Sequence, residues 1–338
     1  NPPSRFNKFI NRRQGQGSIH KIQFVTMANV TVNTTYVGQL ATPFVAPAIL
    51  SADSIANGYL SVLENVRHEA VLKKFSGGVI SSRTCEFGTP SAGQMVLSDV
   101  TLTTAQLQVN EQICNKELAQ DWAAAQMQGA DAGAPNAYAG FISQYVARIT
   151  AADVEKNIWA GNYSYDGTVT AANTSFTGIL ELYRLGSGTH ETATTDPWTG
   201  NSAAATGVLT HLASLVADAP DAIAGDPDAN IYLSRKSANL YYQALSDTYQ
   251  LPFLNDGLVA RYAGYNIIAP AGFPDDCAVL SKKDNLYFGT NVLTDMIEAR
   301  ILDLTAVTGD AVTRVALLFD AGAQIVDEAS MSCCRRSA

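Results

Sequence analysis

An α+β fold is predicted by three features of the sequence. Phe141 to Ala160 is a run of 20 residues without Gly or Pro, the last third alternates short strands with helices, and Phe75 to Asn110 is rich in Ser, Thr and Gly with a two-residue apolar period in places. Of the 338 residues, 47% are hydrophobic and 16% are charged, which allows a packed core and is too apolar for a disordered chain. So low a charge suits a surface covered by copies of the same chain, and it suits an Ala-rich enzyme equally well.

Residues 1–40 mix Gln, Asn, Gly and Thr with isolated apolar residues (Phe6, Phe9, Ile10, Ile19, Ile22, Phe24). These are too few for a core, and the stretch reads as an extended arm lying on another surface, broken by Pro43 and Pro47. Ser54 to Leu72 is predicted helical from the spacing of Ile55, Tyr59, Val62, Leu63 and Val66. Turn signals at Gly77-Gly78, Gly88-Thr89-Pro90 and Gly93, with the alternations Cys85/Phe87 and Ala105/Leu107/Val109, predict a long two-stranded hairpin over Phe75 to Asn110. A hairpin alone is marginal in water, so it needs a surface, either in its own sheet or on a neighbour.

Glu111 to Gly129 is predicted helical, and a loose linker leads to Pro135. Tyr138, Phe141, Ile142, Tyr145 and Ile149 then form one apolar stripe on a helix that should end at Gly161. Unbroken over Phe141 to Ala160, that helix would be about 30 Å long; Thr150 and Asp153, at capping-box spacing, allow a break. Phe176-Thr-Gly-Ile-Leu180 follows a loop rich in Asn, Gly and Thr, and Val208, Leu209, Leu212, Leu215 and Val216 mark a helix stopped by Pro220. Ile231 to Leu233 reads as a strand, Ser237 as the cap of a helix with Leu240, Tyr241, Ala244 and Leu245, and Asp256-Gly257 as a turn. Tyr265 to Ala269, Ala278 to Leu280, Leu286 to Phe288 and Val312 to Phe319 read as strands.

Charge divides the chain. Residues 1–52 hold Arg5, Lys8, Arg12, Arg13 and Lys21 and no acid, a charge of +5, whereas the remainder carries −14, for a total of −9. A basic arm on an acidic body suits salt-sensitive, sequence-independent contact with nucleic acid, or an acidic partner; a solvated terminus has the same pattern. Cys85, Cys114, Cys277, Cys333 and Cys334 contain no C-x-x-C pair, which argues against zinc-knuckle and thioredoxin motifs and fits a reducing compartment. Neither an apolar run of about 18 residues nor a signal-peptide core is present, so a protein made in cytoplasm and away from membranes is expected. Met27 reads as a second plausible start, and a chain beginning at Asn1 fits either removal of a leader or a start that is not shown.

No catalytic residue, metal or cofactor is expected. His20, His68, His190 and His211 sit in no pattern that assigns a role, and His211 falls on the polar side of its predicted helix. G-x-S-x-G, Walker A and strand-linked G-x-G-x-x-G sequences are missing. Asp218, Asp221, Asp226 and Asp228 lack the terminal Glu of a calcium loop and read as loop solvation. Asn29, Asn33, Asn162 and Asn173 match the glycosylation tripeptide, which means little without a secretion signal.

The order of segments carries more than any one of them. A basic arm, a long hairpin and a long helix are followed by Trp159-Ala-Gly-Asn162 and Phe176-Thr-Gly-Ile-Leu180. Then come Asn230-Ile-Tyr-Leu-Ser234, Leu258 to Pro270 with its Gly-Tyr-Asn-Ile-Ile core, Asp284-Asn-Leu-Tyr-Phe-Gly289 and the closing strand Val312 to Phe319. Over residues 60–330 this succession resembles the major capsid proteins of tailed bacteriophages, whose fold is shared with encapsulins. The resemblance implies an N-terminal arm (1–40), an extended hairpin loop (74–110), a peripheral domain on a spine helix (41–73, 111–224 and 305–338) and an axial domain (225–304). It implies a structural subunit and no enzyme: hexamers and pentamers building an icosahedral virion shell in the host cytoplasm around packaged double-stranded DNA, with cement, scaffold and portal proteins as further partners. Arg5, Lys8, Arg12, Arg13 and Lys21 would lie between subunits or against the genome, and Arg83, Phe87, Pro90 and Met95 against a neighbouring subunit. Some relatives weld subunits through a Lys–Asn isopeptide bond. Phe75 to Asn115 holds no Lys, only Arg83, with Lys73 and Lys74 at its base, so no such weld is expected. An encapsulin-type compartment, against which the basic arm counts, and a cytoplasmic α+β enzyme are the alternatives.

Overall fold

The computed structural model of the protein describes residues 34–37, 52–77, 96–114, 135–163, 174–186, 190–194, 207–249, 261–275, 277–291, 298–304, 308–310 and 312–336. Strand β13 (Val312–Ile325) organises the first sheet. One edge pairs antiparallel with β5 (Ala105–Cys114), from Val312↔Cys114 to Ala321↔Ala105. The other edge is shared by β12 (Glu298–Asp303) and β11 (Leu286–Thr290). β1 (Thr34–Val37) lies outside β12, and β2 (Ser61–Leu63) runs parallel to β11. The period of two along β13 puts Val315, Leu317, Phe319, Ala321, Ala323 and Ile325 on one buried face. Against it lie α2 (Pro135–Ala160), through Val146, Val154, Ile158 and Trp159, and α3 (Ile179–Leu185), through Ile179, Leu180 and Tyr183. Each such side chain contributes about 1.5–3 kcal/mol when fully buried.

A second sheet runs β6 (Glu191–Thr194), β14 (Met331–Arg336), β10 (Cys277–Lys282), β7 (Ala229–Leu233), β9 (Tyr265–Ile268), β8 (Arg261–Tyr262). Its central strands are unbroken apolar runs because both faces are buried. Tyr232, Cys277, Val279, Met331 and Cys333 join the first core; Ile231, Leu233, Ala278, Leu280 and Cys334 pack on α4 (Val208–Ala217) and α5 (Arg235–Tyr249). Ala263 and Gly264 turn β8 into β9 with φ of 51° and 94°. A two-residue turn with both φ positive suits the right-handed strand twist, and Ala is the strained member of this one. The third sheet is the hairpin of β3 (Glu69–Ser76) and β4 (Val96–Thr103).

The helix expected over Phe141 to Ala160 is present, starting earlier at Pro135 and running unbroken past Thr150 and Asp153. Other expectations are corrected. Ser54 to Leu72 is helical only over α1 (Asp53–Ala56); past Gly58 (φ 65°) the chain enters β2 and β3. Ile55, Tyr59 and Val62 do meet one core, but from different elements, so their helical spacing was coincidental. Ala105, Leu107 and Val109 alternate in β5, not in the hairpin, and Glu111–Cys114 continues that strand instead of opening a helix. Ser234, not Ser237, caps α5: the Ser237 amide donates to Ser234 Oγ at 3.1 Å. His211 is buried within α4, not on a polar side, because Leu212 and Leu215 share its inward surface. Residues 115–129 and the turn at Asp256-Gly257 lie outside the described residues.

Candidate assembly surfaces

The hairpin register runs from Glu69↔Thr103 to Ser76↔Val96. Directly opposed residues share a face. Ala70/Leu102, Leu72/Val100 and Lys74/Ser98 therefore form the inner face, and Val71/Thr101, Lys73/Asp99 and Phe75/Leu97 the outer. The base is fixed to the body. Leu102 is fully buried against Gly289, where an added Cβ would meet Leu102 Cδ2 at 2.4 Å, and Gly322 admits the Thr103 carbonyl, 2.2 Å from where its own Cβ would stand. The Val66 amide donates to Thr290 O at 3.0 Å, and Lys74 Nζ donates to Asp327 Oδ1 at 2.5 Å. Partial burial alone would raise the Asp327 carboxyl, but hydrogen bonds from Lys74 and Ser330 hold it below its usual value of 3.8. The outer face is open: Phe75 is 67% exposed and Val71 55%, with Leu97 about as open; Val96, opposite Ser76 at the far end of the inner row, is exposed as well. Clustered apolar side chains in water mark a contact surface.

A second open patch lies where α2 crosses β5. Tyr145 and Ile149, one turn apart, are 44% and 46% exposed. Two members of the predicted apolar stripe thus face outward, because α2 buries the row through Val146, Thr150, Val154 and Ile158 instead. With Val109, Ile113 and the rim acids Glu111 and Asp153 they line a cleft of about 470 Å³. Thr150 is buried there, and its hydroxyl has no hydrogen-bond partner among the described residues. β5 pairs only with β13 among the described residues, so its other edge has no strand partner among them.

Between these surfaces the body is held by a polar cluster and a backbone crossing. The buried Glu155 carboxylate accepts from Ser54 N at 2.9 Å and Ser54 Oγ at 2.5 Å, while Trp159 Nε1 donates to Ser54 Oγ at 2.8 Å. Burial raises the Glu155 carboxyl above 4.5, and the Ser54 bonds oppose this. Asp53 accepts from Arg235 at 3.2 Å and from the Ala271 amide at 3.0 Å, tying α1 to α5 and to the loop after β9. At the end of α2, Asn162 takes the left-handed conformation (φ 57°) that stops the helix. Gly178 N donates to Gly161 O at 2.8 Å, and a Cβ on Gly178 would lie 2.5 Å from Gly161 N. The Gly161 and Gly178 motifs are therefore two halves of one crossing.

The arm residues Arg5, Lys8, Arg12, Arg13 and Lys21 and the loop residues Arg83, Phe87, Pro90 and Met95 lie outside the described residues. Of the acidic run, Asp226 pairs with Lys282 at 2.5 Å and Asp218 lies 3.8 Å from His190. No group of three His, Cys, Asp or Glu that could hold a metal occurs among the described residues. Cys277, Cys333 and Cys334 are buried free thiols, the sulfurs of the first two 4.0 Å apart.

The chain superimposes on a chain of the satellite phage P4 procapsid with a TM-score of 0.56, over 88% of this chain and 100% of that one, at 15% identity. A chain of the Gordonia phage Cozz structure gives 0.54 over 85% and 87% at 13% identity. A chain from the capsid of the native GTA particle gives 0.52 over 86% and 91% at 16%. The protein has the phage capsid fold. Both the α+β expectation and the resemblance to tailed-phage capsid chains hold. No protein-family model and no curated protein matches the chain. In this chain the fold rests on the burial pattern and on glycines at backbone crossings.

Proposed function

We propose that the protein is a structural subunit of a virus capsid, assembling through hexamers and pentamers into an icosahedral shell around packaged double-stranded DNA. The observation that carries this reading is the hairpin: anchored at its base, it presents Val71, Phe75 and Leu97 to solvent, with no partner for them among the described residues. The phage capsid fold supports it. Shell formation needs large contacts with several copies, of the obligate size of about 2,000 Å² or more, and closed symmetry then ends growth. Residues 225–304 would form the axial domain around the symmetry axes, and the parts flanking the hairpin the peripheral domain. Arg5, Lys8, Arg12, Arg13 and Lys21 would hold neighbours or the genome, with a strength that falls as salt rises. Arg83, Phe87, Pro90 and Met95 would touch a neighbouring subunit; scaffold, portal and cement proteins would be further partners, in particles assembled in the host cytoplasm. Assembly calls for no catalytic group.

Deleting residues 1–26, or the loop tip around Pro90, tests this. Each product should be soluble and folded by circular dichroism yet fail to close particles; normal shells from either deletion would refute the reading. A ladder of covalent oligomers from boiled, reduced particles would contradict the absence of an isopeptide weld.

A further inference from the structure

Resting on that reading, we infer that strand β3 of one copy adds to the free edge of β5 in the next, with Lys73 opposite Glu111 beneath the Tyr145–Ile149 overhang. The large apolar side chains exposed among the described residues are Val71, Phe75, Val96, Leu97, Tyr145, Ile149 and Leu185. All but Leu185 fall in the two patches above, on the hairpin and at the α2–β5 cleft. Each patch includes a strand with an open edge: β3 pairs only with β4, and β5 only with β13, among the described residues. Such edges are templates for strand addition.

The side-chain patterns match. Along β3 the outer face reads Val71, Lys73, Phe75; along β5 the cleft side reads Val109, Glu111, Ile113. Laid edge to edge in either direction, with Lys73 opposite Glu111, each places an apolar pair on both sides of an opposite-charge pair. Cross-strand pairs of these kinds are the stabilising ones. Asp153, on the cleft rim, supplies a second acid for Lys73. Asp99, the partner of Lys73 within the hairpin, stands one strand farther out. Val71 and Phe75 would come under Tyr145 and Ile149, closing the cleft over the buried Thr150 hydroxyl. The contact joins two different surfaces, so it is head-to-tail and repeats around a ring, as capsomer formation requires.

The test is a charge exchange. Lys73→Glu and Glu111→Lys should each leave a folded subunit and lower the yield of sedimenting particles by about tenfold, because like charges then face each other. The double variant should recover particles close to wild type. Single variants that assemble normally, or a double variant that folds but recovers nothing while wild type forms shells, would overturn this contact and leave the capsid reading standing. Wild type that forms no shells would overturn both. As a second measurement, a chain carrying Lys73→Cys and Glu111→Cys should give covalent multimers under mild oxidation that neither single cysteine variant gives; a double-cysteine chain that stays monomeric in assembled shells would also overturn it.

Discussion

Replacing Gly178 with Ala should force α3 off the end of α2. The new methyl carbon would stand 2.5 Å from Gly161 N, 2.6 Å from Asn157 O and 2.9 Å from Trp159 O. All three atoms are main chain, so no side chain can rotate aside. Relief requires the two backbones to part, which stretches the 2.8 Å bond from Gly178 N to Gly161 O and lifts Ile179, Leu180 and Tyr183 from the core. Overpacking of this kind costs about 1–3 kcal/mol, and a lost main-chain hydrogen bond about 1 kcal/mol more. A total of about 3 kcal/mol is large against a net stability of about 5–15 kcal/mol. Gly225 is the control: nothing lies within 4 Å of its added Cβ, and only its φ of +75° opposes a side chain. That left-handed penalty is about 1–2 kcal/mol. Urea unfolding followed by far-ultraviolet circular dichroism compares the two. Gly178→Ala should lower the midpoint more than Gly225→Ala. An equal or smaller loss would refute the crossing.

Burial raises the Glu155 carboxyl, so its stabilising contribution is full below the unfolded value and is lost as pH rises through the folded one; Glu155→Gln should flatten that part of the stability profile, and an unchanged slope above pH 4.5 in urea titrations would count against the buried carboxyl. Asp327 has the opposite sign: its carboxyl is depressed, so its contribution is present above the unfolded value and disappears as pH falls through the folded one. Asp327→Asn should cost about 0.5–1 kcal/mol and speed amide exchange in β3 and β4 while leaving β13 protected; unchanged exchange in the hairpin would show that Lys74 does not anchor it. Ala263→Asn should stabilise by about 0.5–1 kcal/mol, since Asn tolerates the left-handed φ that Ala holds before Gly264. A lower thermal midpoint for that variant would rule out the two-residue turn.

The legible parts of the fold were those whose burial is uniform along a stretch. α2 could be read because its stretch from Phe141 to Ala160 holds no Gly or Pro, and β7, β10 and β13 because strands buried on both faces, or alternating against a core, keep dense apolar runs. The failures came where a pattern had two explanations. Ile55, Tyr59 and Val62 meet one core from different elements, which mimics a helix. Glu111 hid the last turn of alternation in β5, since a charge there looks like the polar side of a helix although it is the rim of a cleft. Gly161 and Gly178 stood out as motifs, but the reason for them is contact between distant main-chain atoms, which no local pattern encodes. The exposed apolar patches were half legible. The need of the hairpin for a surface followed from its length, whereas the apolar stripe through Tyr145 and Ile149 did not reveal which of its members stay open, because burial is decided by the neighbouring row through Val146, Thr150, Val154 and Ile158.

Negative-stain electron microscopy of the purified, concentrated protein bears most directly on whether this chain completes itself only among its copies. Closed icosahedral shells built of ring-shaped clusters are the expected result. A population of monomers or dimers at every concentration and salt, with Val71, Phe75, Tyr145 and Ile149 still open to solvent, would contradict it.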